Sequence, residues 1–324
     1  MIDVEEPPGA RGRLVAHDGP SEGGSRPPAV AVMLTAGVRD WPRRCGLVVV
    51  GHGTADPLGA AETAAVTALV ASRLPDVPVE LGFLEVIEPA IGPALARLAA
   101  RGCRHIVAAP LLLLAAGHAR RDVPESLATA ARSLDLLVTQ AEPLGCHPRI
   151  VALSRHRRRA ALAGGIPVTP AATALVMVGR GASDPTVVGQ FEELVGRSIA
   201  GDPAAPAHVG CGFVAVARPR LDEALAEAAG IAGVRRVVVQ PHLLFRGHVE
   251  REVHAAVDRM RREAPDIEWV TVERLGPAAD VAAALVVRAA EARVAGWVRG
   301  ANGVCQGFRV GASSSRQGPV ESSQ

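Results

Sequence analysis

Apolar runs broken by short polar turns recur between residues 46 and 292, and they alternate between two kinds. Leu47–Val50, Val79–Phe83, Ile106–Leu113 and Leu134–Thr139 are short and rich in Val, Ile and Leu, which predicts buried strands. Ala60–Arg73, Ile91–Ala100 and Pro124–Ser133 lie between them and predict helices. Asp76-Val77-Pro78, Arg101-Gly102 and Gly145 mark breaks. Strands alternating with helices imply a parallel sheet covered on both faces.

The order then repeats. Ala174–Val178, Val209–Phe213, Val237–Phe245 and Trp269–Val272 predict strands, with helices ending at Ala229 and spanning 278–295. Gly51/Gly179, Asp56/Asp184, Phe83/Phe213, Pro89/Pro219, Pro110/Pro241 and His118/His248 fall in register about 130 residues apart, the mark of an internal duplication. The expected fold is α/β: two tandem doubly wound parallel-sheet domains, 44–145 and 173–299, joined by a linker at 146–172. Residues 1–43, rich in Pro, Gly and Arg, and the Ser/Gly-rich stretch 300–324 read as disordered extensions.

Composition narrows the chemistry. The 324 residues contain no Tyr and no Lys, so all 35 basic residues are Arg. That removes a P-loop lysine, a Schiff-base lysine and a lysine base. The five cysteines form no CxxC pair and read as buried small apolar residues. A net charge of +2 gives no reason to expect a nucleic-acid or membrane partner. The run Arg155-His156-Arg157-Arg158-Arg159 reads as a solvated helix or linker, and no aromatic residues are interleaved to support nucleic-acid contact. No apolar stretch is long enough for a membrane helix, and the N-terminus lacks a secretory pattern, so a cytoplasmic location is expected.

Two histidines stand where ligands gather. Gly51-His52-Gly53-Thr54 follows the first strand, and Gly117-His118 follows the third. In the common strand order 2-1-3-4 those strands are neighbours, and the crevice between their carboxyl ends is the binding position. Glu85, just past the second strand, reaches the same rim. Two imidazoles and a carboxylate suit a borderline divalent metal, and imidazole also accepts a proton near neutral pH. Structural capping by the histidines is the plain alternative. Asp56, just before Pro57, is expected to cap a helix rather than bind metal. His242, beside Pro241, is a weaker candidate for a cleft residue in the second half.

The stretches Val50-Gly51-His52-Gly53-Thr54-Ala55-Asp56-Pro57, Gly82 to Pro89 and Pro110 to Pro124 resemble the CbiX-type sirohydrochlorin chelatases. These class II chelatases insert Co²⁺ or Fe²⁺ into a tetrapyrrole without ATP. Val178 to Pro185 resembles the second half of the long, two-domain cobaltochelatases. The resemblance implies His52 and His118 as metal-binding and proton-accepting residues, with Glu85 beside the metal. It implies sirohydrochlorin and a divalent metal as partners, Co²⁺ favoured over Fe²⁺ in cobalamin rather than siroheme synthesis, and no cofactor beyond the substrate metal.

The second half departs from the pattern. Arg180 stands for His52, Ala215 for Glu85 and Arg218 for Glu88, while His248 remains. Guanidinium neither ligates a metal nor gives up its proton at neutral pH. The second half is therefore expected to bind substrate carboxylates through Arg180 and Arg246 beside His248, with Arg120 and Arg121 contributing from the first half. A non-catalytic carrier of metal or tetrapyrrole is the rival reading.

Overall fold

The computed structural model describes residues 15–16, 41–115 and 117–300; for 15–16, His118 and 296–300 only the backbone is described. The first half runs β2 (Cys45–Gly51), α1 (Pro57–Arg73), β3 (Val79–Phe83), α2 (Ile91–Ala100), β4 (His105–Pro110), α3 (Val123–Leu134) and β5 (Leu137–Gln140). Its sheet has the order β3-β2-β4-β5, all parallel. After α4 (Pro148–Leu162), the second half runs β6 (Thr173–Gly179), α5 (Pro185–Ile199), β7 (His208–Phe213), α6 (Leu221–Ala229), β8 (Arg236–Pro241), α7 (His248–Glu263), β9 (Glu268–Thr271) and α8 (Ala279–Gly300). Its parallel strands are ordered β7-β6-β8-β9, the same winding. The two-residue β1 (Val15–Ala16) pairs antiparallel with His208 and Val209. The expectation of disorder fails at those two residues; the rest of 1–40, and 301–324, lie outside the described residues.

The duplication extends to register. Gly51 pairs with Phe83 and Val50 with Pro110; Gly179 pairs with Phe213 and Val178 with Pro241. Both central strands, β2 and β6, are buried along their whole length, as strands covered on two faces must be. The strands expected to run to Leu113 and Phe245 stop at Pro110 and Pro241. Proline has no N–H to extend a ladder, and the residues beyond are released to line a cleft. β5 starts at Leu137 rather than Leu134 because α3 reaches Leu134 and Asp135 turns left-handed, φ 50°.

Three helices passed without a firm prediction: α4, α5 and α7. The 146–172 segment is mostly helix rather than linker, and it is not simply solvated. Arg158 is 1% exposed, donating to Asp202, Gln240 and the Ser198 carbonyl. Arg155 and Arg159 are spent on the carbonyls of Arg197 and Ala200 and on Asp202.

The covering helices are exchanged. One face of the first sheet packs on α2 and α3 through Val48, Val50, Leu95, Leu98 and Leu127. Its other face packs on α1 and on the last helix, α8, through Leu47, Val49, Val66, Val281 and Leu285. The second sheet is covered by α6 and α7 on one face, and by α5 with Val151 and Leu162 of α4 on the other. The second half thus lends α8 to the first sheet, while α4 joins both cores, with Ile150 and Leu153 in the first and Val151 and Leu162 against the second, so the 173–299 unit expected from chain order does not keep α8 to itself. No helix among the described residues is long and apolar enough to cross a membrane.

Candidate functional site

Both sheets turn their carboxyl ends to a common cleft of about 370 Å³, lined from each half. Leu111–Leu114, Phe191, Phe213 and Leu243–Phe245 make most of it apolar; His52, Arg180, Arg246 and His248 add polar groups. A largely apolar cleft with few polar groups is the usual form of a small-molecule site.

A backbone stitch positions the first-half side chains. Leu84 N donates to Gly51 O at 2.9 Å and Glu85 N donates to His52 O at 3.1 Å. The turn needs Gly53: its φ is 101°, and a Cβ there would lie 1.9 Å from the Glu85 carbonyl. The stitch carries the two side chains together, with His52 Nε2 3.3 Å from Glu85 Oε1. The imidazole is about one-third exposed and the carboxylate half exposed; Nδ1 lies 3.2 Å from the Gly53 carbonyl, while Nε2, facing Glu85, is itself shielded from solvent.

The second half keeps the frame and changes the groups it holds. Val214 N donates to Gly179 O at 3.1 Å and Ala215 N to Arg180 O at 2.8 Å. Gly181 has φ 94°, and a Cβ there would sit 1.8 Å from the Ala215 carbonyl. The turn that presents imidazole and carboxylate in one half presents guanidinium and methyl in the other. One wall carries an imidazole beside a carboxylate; the other carries a fixed positive charge.

His118 begins a single turn of π-helix, His118–Asp122, after β4. Its backbone stands beyond the strand neighbouring β2, and the next residue, Ala119, lines the cleft with His52. The His118 side chain lies outside the described residues. Arg120 and Arg121 are exposed, and Arg120 Nη1 is 3.5 Å from Asp184 Oδ2 across the halves. Arg180, Arg246 and His248 are exposed in the cleft lining; His248 pairs with Glu252 one turn along α7. Among the described residues no group of three or more His, Cys, Asp or Glu is arranged to hold a metal.

Asp56 is a helix cap, as expected: Oδ1 accepts from Leu58 N at 3.0 Å. Desolvation raises its carboxyl pKa, but amide bonds from Leu58 and Gly59 and the charges of Arg246 and Arg251 outweigh it and hold the group below the usual range. Two residues carry more than the sequence signalled. Glu62 accepts from Arg246 N at 2.8 Å and pairs with Arg274, bracing the second-half loop from α1. His242, a weak candidate by sequence, is 4% exposed and lines the cleft. Cys45, Cys103 and Cys211 are buried, and desolvation lifts the Cys211 thiol to about 11, which leaves it inert as a ligand.

The profile of the CbiX family matches residues 46–161 and again 174–292. The sirohydrochlorin ferrochelatase of Bacillus subtilis is 29% identical over 226 residues, 68% of this chain and 82% of that protein. The sirohydrochlorin cobaltochelatase of Priestia megaterium is 26% identical over 225 residues, 69% of this chain and 72% of that protein. Among solved structures, SirB from Bacillus subtilis with Fe³⁺ aligns with a TM-score of 0.70 at 26% identity, over 79% of this chain and 98% of that one. The match is made twice along one chain, once for each half that meets at the cleft: the chain belongs to the CbiX family.

Proposed function

We propose that this chain inserts a divalent metal into sirohydrochlorin without ATP, with the macrocycle held in the cleft between the halves. The observation that carries the reading is the pairing of unlike walls on a shared backbone frame: His52 with Glu85 on one side, Arg180 on the other. Metal insertion exchanges ring N–H protons for the ion. It therefore needs donors that replace the metal's water and a base that takes a proton. Imidazole serves both ends, and Glu85 at 3.3 Å from His52 offers a negative charge to the arriving cation. His118 is the second imidazole of this reading, metal ligand or base, presented from the turn after β4. Arg180 and Arg246 in the cleft lining, with the exposed Arg120 and Arg121, provide cationic contacts for a polycarboxylate, and His248 shares that lining.

Cobalt is the metal favoured by the second-half sequence, and iron is the second reading, because the Bacillus subtilis relative is named for iron and matches at 29%. The donor set suits both ions, with affinity rising from Fe²⁺ to Co²⁺ for any such site. The two metals become arms of one experiment. Purified chain, sirohydrochlorin and either Co²⁺ or Fe²⁺ are mixed, and the shift of the Soret band is followed. Turnover beyond one ring per chain is expected, and His52→Ala should lower kcat by about 100-fold or more. A single stoichiometric binding event without turnover would make the chain a carrier; a His52→Ala variant at wild-type rate would remove His52 from the reaction.

A further inference from the structure

We propose that His242 is the contact through which the second half holds a ring N–H of the macrocycle by a hydrogen bond; this rests on the metal-insertion reading above. His242 follows Pro241 at the end of β8, and its N–H donates to Val178 O at 2.8 Å. Leu111 follows Pro110 at the end of β4 and donates to Val50 O at 2.8 Å. The two residues occupy the same place in the duplicated frame, and both line the cleft. One half fills it with an aliphatic side chain, the other with an imidazole.

That imidazole is expensive as structure. It is 4% exposed, packs against the Phe191 ring at 6.0 Å between centroids, and its Nε2 has no hydrogen-bond partner among the described residues. A buried polar atom without a partner is a net loss to the fold, and leucine does the packing job in the other half. A ligand in the cleft supplies the missing partner. Desolvation holds the ring neutral, with its pKa down to about 4, so one nitrogen keeps a free lone pair throughout the working range. A neutral acceptor complements a neutral N–H; the carboxylates of the substrate are matched by Arg180 and Arg246 instead. So low a pKa also makes His242 a poor proton acceptor, which assigns it to holding the ring rather than deprotonating it.

The test compares wild type, His242→Leu and His242→Gln in the full chain. Metal-free sirohydrochlorin is titrated by fluorescence, Co²⁺ alone is titrated separately, and KM, kcat and Tm are measured. His242→Leu should raise Kd and KM for the ring about tenfold while leaving the affinity for Co²⁺ alone and the Tm no worse than wild type. His242→Gln, which keeps an acceptor, should recover part of the loss. Wild-type Kd and KM in His242→Leu, with wild type active, would overturn the contact and leave metal insertion standing. A wild-type chain that neither binds the ring nor inserts metal sinks the function first and this contact with it.

Discussion

Asp56 Oδ2 lies 3.3 Å from Arg251 Nη1, an ion pair that ties the first turn of α1 to α7 across the cleft. Asp184 and Arg120 form its counterpart from the other side, at 3.5 Å. Each aspartate also caps its own helix, through Leu58 N and Thr186 N. The same carboxylate therefore serves local and interdomain order.

The two duties separate by substitution. Asn caps nearly as well as Asp but has no charge. Asp56→Asn should leave Tm close to wild type, because solvent-screened pairs contribute little. Asp56→Ala should lower Tm more, through the lost cap. Thermal melts at low and high salt check this: equal Tm losses in the two variants would assign the stabilising role to the ion pair.

Gly53→Ala and Gly181→Ala place a methyl against a carbonyl in matching turns. Both are left-handed, with φ 101° and 94°. Each variant should lose at least about 1 kcal/mol of stability, because alanine at positive φ is strained and the turn must open. Their kinetics should differ. Gly53→Ala displaces His52 from Glu85 and should lower kcat; Gly181→Ala displaces Arg180 and should raise KM. Steady-state rates and urea melts measure both, and matching kinetic profiles would refute the division of labour between the walls.

Because the second frame is intact, its chemistry is open to reversal. Arg180→His with Ala215→Glu restores on the second wall the residue pair that the first wall presents. Equilibrium dialysis with Co²⁺ should then show an additional bound ion per chain, and KM for sirohydrochlorin should rise as the guanidinium is lost. Unchanged metal stoichiometry would mean that the frame alone does not make a donor site.

His242 gives the fold a pH dependence. Its folded pKa is lowered to about 4 by burial, while an unfolded imidazole titrates near 6.5. Between those values the unfolded chain binds the extra proton, so stability is complete above the window and is lost as pH falls through it. The loss amounts to roughly 3 kcal/mol across the window. His147, its pKa also lowered chiefly by burial, adds in the same direction. Urea denaturation at pH 7.5 and 4.5 should show a smaller drop for His242→Leu than for wild type; equal drops would count against the burial effect.

Much of this architecture is legible in the chain. The apolar runs at 47–50 and 174–178 place the central strands, because a strand buried on both faces has no room for polar residues. The strand order follows from the winding common to such sheets, and the glycine–histidine turns fall at the sheet's carboxyl edge for the same reason. What stays hidden is long-range. The periodicity of α4 and α8 marks an apolar face but not the sheet that receives it. Arg158 looks solvent-exposed because its partner, Asp202, is 44 residues away and unremarkable in sequence. The helical spacing of Val253, Ala256, Val257 and Met260 in α7 is, by contrast, a local signal present in the chain. Arg120 also faces Asp184 across the halves, a pairing that only the assembled cleft reveals.

The exchange of α4 and α8 has a consequence for how the cleft became uneven. A polypeptide of half this length, folding alone, would leave one side of its sheet only partly covered, and a twin completing that cover would carry every change on both walls. Joining the copies end to end breaks that tie. One wall can hold arginine where the other holds histidine, and histidine where the other holds leucine, so a mirrored pair of identical surfaces gives way to a site with distinct jobs on either side.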